Sequence, residues 1–323
     1  MKAVLVNEFG GPDRMVYGDI DKPSISGKEI LIKVEAASVN YADIKARYGK
    51  KGMKGSFPFI PGIDAAGVVE EVGADVKAFS EGDRVIAFPK SGSYAEYAVA
   101  DEVLTYKIPE EIDFGTAAAS PIVSFLSYKL IVDIGRMKKG ETVLIHAAAG
   151  GVGTTAVQLA KLLGAEKVIG TVGSDSKIAF ALEAGADHVF TYEGFAEKVN
   201  DLTDGEGVDI ILDSISGEVS ELSLECLAPY GRLIHFGNSS GQIGNFQTND
   251  FHASCRSVLG FSLGTTRSKR PELLRDTAEK VLQLLASGDL QIKIGQTFPL
   301  EKAAEAHKWV ESRQSVGKVL LKV

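Results

Sequence analysis

Residues 141–153 read ETVLIHAAAGGVG, and no other stretch constrains the fold so tightly. Val143, Leu144 and Ile145 form a short apolar run of the kind that makes a buried parallel strand. Alanines and glycines follow, and residues 154–163 then carry helical spacing, with Val157, Ala160 and Leu163 on one side. Strand, glycine turn and helix is the layout that presents backbone N–H groups and a helix N-terminus to a phosphate. Gly150 and Gly151 let the backbone approach such a group, and Gly153 lets the helix pack close to the strand. The spacing Ala147-x-x-Gly150-x-x-Gly153 departs from the strict G-x-G-x-x-G pattern. A tight strand–helix connection without a ligand is the competing reading.

A chain of 323 residues is long enough for two domains with cores of their own. Its formal net charge of -8, with no long Lys/Arg cluster, argues against nucleic acid or an anionic membrane as a partner. No apolar run approaches membrane-spanning length. The N-terminus reads as a first strand and not as a signal peptide. Only Cys226 and Cys255 are present, which makes no disulfide framework and points to a reducing cytoplasmic compartment.

The first third is β-rich, with strands expected at 3–6, 29–37, 64–72, 83–87 and 95–100, punctuated by glycine and proline. A partly open antiparallel barrel suits that pattern. Helices are expected at 41–48 and from about 114. Beyond residue 123 strand and helix alternate, with strands at 143–145, 167–171, 188–190, 209–212, 232–236 and 257–261. That rhythm means βαβ units and a doubly wound parallel sheet. A helix from 271 to 285, a strand at 292–298, a helix at 302–312 and a closing strand at 318–322 finish the chain. The closing strand is expected to return to the first domain, because the parallel sheet is already complete at six strands. The expected division is 1–122, completed by 264–323, and 123–263.

The tip of the second parallel strand selects between the two nicotinamide dinucleotides, since an acid there reads the ribose hydroxyl and repels a phosphate. Here the strand runs into Gly173 and Ser174 with no acid at its tip, which favours NADPH. Lys177 and Tyr192 are the candidate phosphate readers; Asp175 is the dissenting residue, and a solvated helix lysine is the plain reading of Lys177. Residues 236–241, FGNSSG, follow the fifth strand, where ligands bind in open α/β sheets, or form a flexible surface loop.

Zinc chemistry needs cysteine, histidine or carboxylate ligands at fixed places. Neither cysteine and none of the five histidines is expected in the β-rich domain, and His146 and His235 read as hydrogen-bonded core residues. No active site typical of a short-chain reductase is evident, since Tyr97 and Tyr128 lack a lysine four residues on. A hydride transfer without metal suits an acceptor that delocalises charge, such as a quinone or an α,β-unsaturated carbonyl.

Taken together, AASVNYADIKAR (36–47), PFIPGIDAAGVVEEVG (58–73), GDRV (82–85), GSYAEY (92–97), HAAAGGVG (146–153), GSDSK (173–177), AGADHVFTY (184–192), FGNSSG (236–241) and AHKWVESRQSVGKVLL (306–321) resemble the zinc-independent, zeta-crystallin-like quinone oxidoreductase branch of the medium-chain dehydrogenase/reductase superfamily. The resemblance covers the whole chain. It implies a GroES-like catalytic domain, a Rossmann domain, NADPH, no metal, and a homodimer or homotetramer. By position it implies that Asn40 approaches the nicotinamide ribose and substrate, and that Tyr128 lines the cofactor. It places Ala149, Gly150, Gly151, Val152 and Gly153 at the pyrophosphate, and Gly173, Ser174, Lys177 and Tyr192 at the 2′-phosphate. Phe236, Gly237, Asn238, Phe261 and Leu263 flank the nicotinamide, and Lys318 lies near the cofactor. Ile63 and Asp64 stand where the zinc enzymes carry a Gly-His-Glu motif.

The tyrosines that some quinone reductases carry after the asparagine are replaced by Lys45 and Lys51, with Tyr41 and Tyr48 nearby. The expected activity is NADPH-dependent reduction of quinones or activated enones, with the proton from water or from Tyr41 or Tyr48. Reduction of 2-enoyl thioesters or enals is the other enzymatic reading, and a non-catalytic NADPH sensor or interaction protein the reading of another class. Residues 259–263 are a β-rich run expected at a sheet edge, and the resemblance implies that such an edge pairs across a dimer.

Overall fold

A computed structural model describes residues 1–49 and 56–323. The first segment contains β1 (Lys2–Val6), β2 (Met15–Asp19), β3 (Glu29–Val39), α1 (Tyr41–Tyr48), β4 (Ala65–Val72), β5 (Arg84–Ala87), β6 (Tyr97–Asp101), β7 (Thr105–Lys107) and α2 (Phe114–Tyr128). α2 continues as a π-helix over Lys129–Ile134. Next come β8 (Thr142–Ile145), α3 (Gly151–Leu162), β9 (Lys167–Val172), α4 (Ile178–Glu183), β10 (His188–Thr191), α5 (Phe195–Leu202), β11 (Val208–Asp213), α6 (Glu218–Glu225), β12 (Leu227–His235), α7 (Asn249–His252), β13 (Ser257–Gly260) and α8 (Leu263–Lys269). The chain closes with α9 (Arg275–Ser287), β14 (Ile294–Pro299), α10 (Ala303–Glu311) and β15 (Lys318–Lys322).

Two compact units result. Unit 1 holds Met1–Ile122, Lys269–Ser287 and Ile294–Val323; unit 2 holds Val123–Ser268 and Gly288–Lys293.

Unit 1 is organised by β3, whose residues are buried along almost its whole length. One edge of β3 is shared: Glu29–Lys33 pair β6 and Ala36–Val39 pair β15. The other edge pairs β4, and β5 and β7 extend the sheet from there. β15 therefore returns to the first segment, as expected once the parallel sheet is complete at six strands. Val4, Ala37, Val39, Ala306, Val319 and Leu321 form one core of this unit. All its pairings are antiparallel except β14 with β15, which run parallel. β1 and β2 form a separate two-stranded sheet.

Unit 2 is a six-stranded parallel sheet ordered β10-β9-β8-β11-β12-β13, the doubly wound order of a dinucleotide-binding fold. Its central strands β8, β9 and β11 are buried apolar runs (Val143, Leu144, Ile169, Ile211), as a sheet covered on both faces requires, while the edge strands β10 and β13 are only half-buried. Phe195 and Val199 of α5 close the core on one side.

Three expectations need correction. β2 and β7 were not foreseen; they are short, and β2 is largely exposed, so neither has the alternation that marks a strand. Helix α8 falls on residues for which the sequence offered no element. The stretch Phe114–Ile134 does reach membrane-spanning length, 21 residues at mean hydropathy 1.4, although serines and a proline interrupt it. Two thirds of it (67%) is buried within the protein, as for a core helix.

Candidate functional site

In unit 2 the chain winds outward from β8 to β9 and β10, then returns beside β8 as β11. The strand order reverses there, and a crevice opens at the carboxyl ends of such a pair. The segment leaving β8 turns sharply at Ala147, whose φ is 54°. Ala148 N–H donates to Thr171 O at 2.9 Å, and Ala147 N–H donates to the Tyr192 hydroxyl at 2.9 Å. Gly150 is the N-cap of α3 and supplies no side chain, so the first-turn amides are left to a ligand. A Cβ at Gly153 would lie 2.3 Å from Ala147 O and 2.6 Å from Ala148 Cα, so only glycine lets α3 begin this close to the turn. Ala149 is buried, while Gly150, Gly151 and Val152 are half-buried.

His146 supports the turn from beneath. Its ring nitrogens lie 2.7 Å from Thr171 Oγ1 and 2.8 Å from Ser223 Oγ, and burial pushes its pKa down to about 4. Asp213, at the end of β11, is a site residue the sequence did not single out. It accepts from Ile215 N at 2.7 Å, from Ser216 N at 3.1 Å and from the Ser220 hydroxyl. Burial works against its carboxylate, yet His146 and these donors hold it below the usual range.

Gly173 and Ser174 are exposed beyond β9, and a Cβ on Gly173 would meet nothing within 4 Å. Asp175 and Lys177 share a single 3-10 turn, with Asp175 exposed and Lys177 half-buried. Tyr192 spends its hydroxyl on the turn, not on the Ser174 loop, and burial raises its pKa. The FGNSSG segment is pinned: Ser239 N and Ser240 N donate to Ser214 O and Ile215 O at 3.0 Å. Asn238 Oδ1 accepts from Gly241 N at 2.7 Å. Phe236, Gly237 and Phe261 are half-buried, Leu263 is buried and Tyr128 is half-buried.

Unit 1 contains a buried polar cluster. Asn40 is the N-cap of α1, and its backbone N–H donates to Asp43 Oδ2 at 2.8 Å. Its amide Nδ2 donates to Asp64 Oδ1 at 3.0 Å, and its Oδ1 accepts from Lys318 Nζ at 2.7 Å. Ser38 Oγ donates to the same Asp64 oxygen at 2.7 Å. Burial, then the charge of Asp64, pushes Asp43 up to about 7; burial lowers Lys318 against the pull of Asp64 and Asp43.

A chain of side chains extends from Asp43. Tyr94 Oη lies 3.2 Å from Asp43 Oδ2 and 3.1 Å from His307 Nε2, and Arg47 Nη1 lies 3.3 Å from His307 Nδ1. Arg47 Nη2 donates to Glu311 Oε1 at 2.7 Å. Burial, then Arg47, pushes His307 down to about 3.

His307 corrects the expectation that every histidine lies outside the β-rich domain: α10 carries it into the core of unit 1. Tyr41 is 45% exposed, and Lys45 Nζ lies 5.1 Å from its ring centroid. Tyr41 and Lys45 thus do carry the four-residue tyrosine–lysine spacing that Tyr97 and Tyr128 lack, which corrects the expectation that the chain has none. A groove of about 340 Å³ is lined by Tyr41, Ile44, Lys45, Tyr48, Val310 and Arg313. Lys51 lies outside the described residues. Among the described residues no group of three or more His, Cys, Asp or Glu side chains is arranged to hold a metal.

Comparison with known proteins agrees with this architecture. Residues 26–110 match the family model of the alcohol dehydrogenase GroES-like domain, and residues 151–286 that of the zinc-binding dehydrogenases. The chain is 36% identical to a human quinone oxidoreductase, over 99% of this chain and 97% of that one. It is 35% identical to a quinone oxidoreductase of Pseudomonas aeruginosa, over 99% of each chain. Among solved structures, the Escherichia coli quinone oxidoreductase complexed with NADPH superposes with a TM-score of 0.93 at 32% identity, covering 100% of both chains.

Proposed function

The chain belongs to the quinone oxidoreductase branch of the medium-chain dehydrogenase/reductase superfamily, and from that premise we propose that it is an NADPH-dependent, metal-free reductase of quinones or activated enones. The observation that carries the cofactor is the turn at 147–153, set where the parallel sheet reverses its strand order. The close approach of α3 to the turn at Gly153 and the uncapped start of α3 fit a pyrophosphate, and the open, acid-free tip of β9 fits a 2′-phosphate. When bound, NADPH supplies a hydride from C4 of its nicotinamide.

The rest of the reaction falls to the chain's own residues. Backbone amides at 150–153 hold negative charge, and Lys177 and Ser174 discriminate the phosphorylated dinucleotide. Tyr192 braces the turn through Ala147. Asn40 is the group proposed for the reacting centre, and the proton that accompanies the hydride comes from water or from the exposed Tyr41. The lack of disulfide-bonded cysteines supports a cytoplasmic setting. β13 lies at the edge of its sheet, which supports a homodimer paired along it.

The test is oxidation of NADPH against NADH with 9,10-phenanthrenequinone, an enone and an enoyl thioester, before and after chelation. Fast NADPH oxidation with quinone that survives the chelator is the expected result. Preference for the thioester would replace the acceptor, and saturable NADPH binding without turnover would replace the enzyme by a sensor.

A further inference from the structure

Asn40, Asp43, Asp64 and Lys318 meet in the interior of unit 1, with exposures of 6%, 1%, 0% and 4%. Burying an ammonium and two carboxyl groups costs several kcal/mol per ion unless they are paired and hydrogen-bonded, and apolar side chains would fill the space more cheaply. The bonds around Asn40 show what the charges hold. Lys318 Nζ donates to its Oδ1 at 2.7 Å, and its Nδ2 donates to Asp64 Oδ1 at 3.0 Å. An ammonium has only donors, and an ionised carboxylate only acceptors. Turning the amide over would set its NH2 against the ammonium and its oxygen against the carboxylate, and both bonds would be lost.

The backbone of Asn40 is fixed as well. Its N–H donates to Asp43 Oδ2 at 2.8 Å, closing a capping box on α1. Lys318 reaches Asn40 because β15 pairs β3 with Val319 opposite Val39, and Nζ also donates to Val39 O at 3.3 Å. The second Nδ2 hydrogen has only long partners, Ser38 Oγ at 3.3 Å and Ser38 O at 3.4 Å.

We propose that Lys318 and Asp64 are positioning residues: a charged clamp that holds the Asn40 amide in one orientation, so that it meets the reacting substrate with a fixed pattern of donor and acceptor. This deepens the reductase reading and rests on it, since Asn40 is the group assigned there to the reacting centre. It also gives Lys318 a task distinct from touching the cofactor.

The experiment compares wild type, Lys318→Met, Asp64→Asn, Asn40→Ala and the Lys318→Met/Asn40→Ala double variant. Three quantities are read: exchange protection of the Asn40 side-chain amide protons in asparagine-labelled protein, Kd for NADPH, and kcat with phenanthrenequinone. Lys318→Met is expected to lose the protection and to lower kcat about ten- to hundredfold, as a small misplacement of a reacting group does. Its Kd for NADPH is expected to stay within about threefold of wild type, which separates positioning from binding. In the Asn40→Ala background the same change is expected to add little, because the two residues act as one unit. Asp64→Asn is expected to loosen the amide in the same way, since an amide partner accepts either orientation.

Full protection in Lys318→Met would overturn the clamp. So would an undiminished loss of kcat in the Asn40→Ala background, or a rise in Kd matching the fall in kcat. A wild-type protein that reduces no acceptor would sink the reductase reading, and amide protection would then decide the clamp alone. If Lys318→Met does not fold, Lys318→Arg takes its place: it keeps the charge and is expected to keep the amide protected at an intermediate kcat.

Discussion

His307 shows how much a single side chain is constrained by what faces it. Arg47 can only donate, so Nδ1 of His307 must accept; the neutral ring then carries its proton on Nε2 and donates to Tyr94, whose hydroxyl donates to Asp43. At pH 7 the nitrogen shifts of His307 are therefore expected to show a bare Nδ1 and a protonated Nε2, and the reverse tautomer would break the chain. The sign of the pH effect follows. Burial puts the folded-state pKa at about 3 against 6.5 for the free group, so the unfolded chain binds more protons between those values. Stability is complete above 6.5 and is lost as pH falls toward 3, by about 2 kcal/mol between pH 6.5 and 5. Asp43 acts in the opposite sense, since its raised pKa removes stability as pH rises through about 7. The measurement is hence a difference in urea unfolding between wild type and His307→Gln, which share Asp43. The gap between them is expected to narrow as pH falls.

Among the elements, the turn into α3 and the start of α1 carry the most consequence. Gly153→Ala would press a methyl group onto backbone atoms of Ala147 and Ala148, at a cost of about 1–3 kcal/mol. Both the melting temperature and NADPH affinity are expected to fall, and an unchanged variant would mean α3 can move. Asn40→Ala keeps the backbone N–H that bonds Asp43 at the start of α1 but deprives Lys318 of its acceptor and Asp64 of a donor; thermal unfolding should show a loss of about 1–3 kcal/mol, the cost of leaving a buried polar group unpaired. These elements differ in how legible they are. The apolar run of β8, the glycines after it and the eight residues of α1 announce themselves locally. β2 and β7 do not, because their partners give them their shape. The buried cluster was out of reach of any local pattern: Asn40, Asp64, Tyr94, His307 and Lys318 are scattered along the chain and meet through sheet pairing and α10. Family resemblance flagged Asn40 and Lys318, but not that they bond to each other.

On the scale of the molecule, unit 1 is assembled from three separated segments while unit 2 is nearly continuous. Deleting residues 294–323 would remove β14, α10 and β15, uncover half of one edge of β3, and leave Asn40 without Lys318. The truncated chain is expected to lose the protease resistance of unit 1 while the parallel sheet of unit 2 keeps its own core. Equal loss in both units would show that they fold only together. The same connectivity has a consequence in time. During synthesis the chain emerges from its N-terminus, so β3 and Asn40 appear well before β15, and Lys318 follows Asn40 only 278 positions later. Unit 2 closes while the ribosome is still working. Unit 1 is begun before unit 2 and completed after it, and until residues 318–322 have been made it is the part of the nascent protein with most to gain from a chaperone.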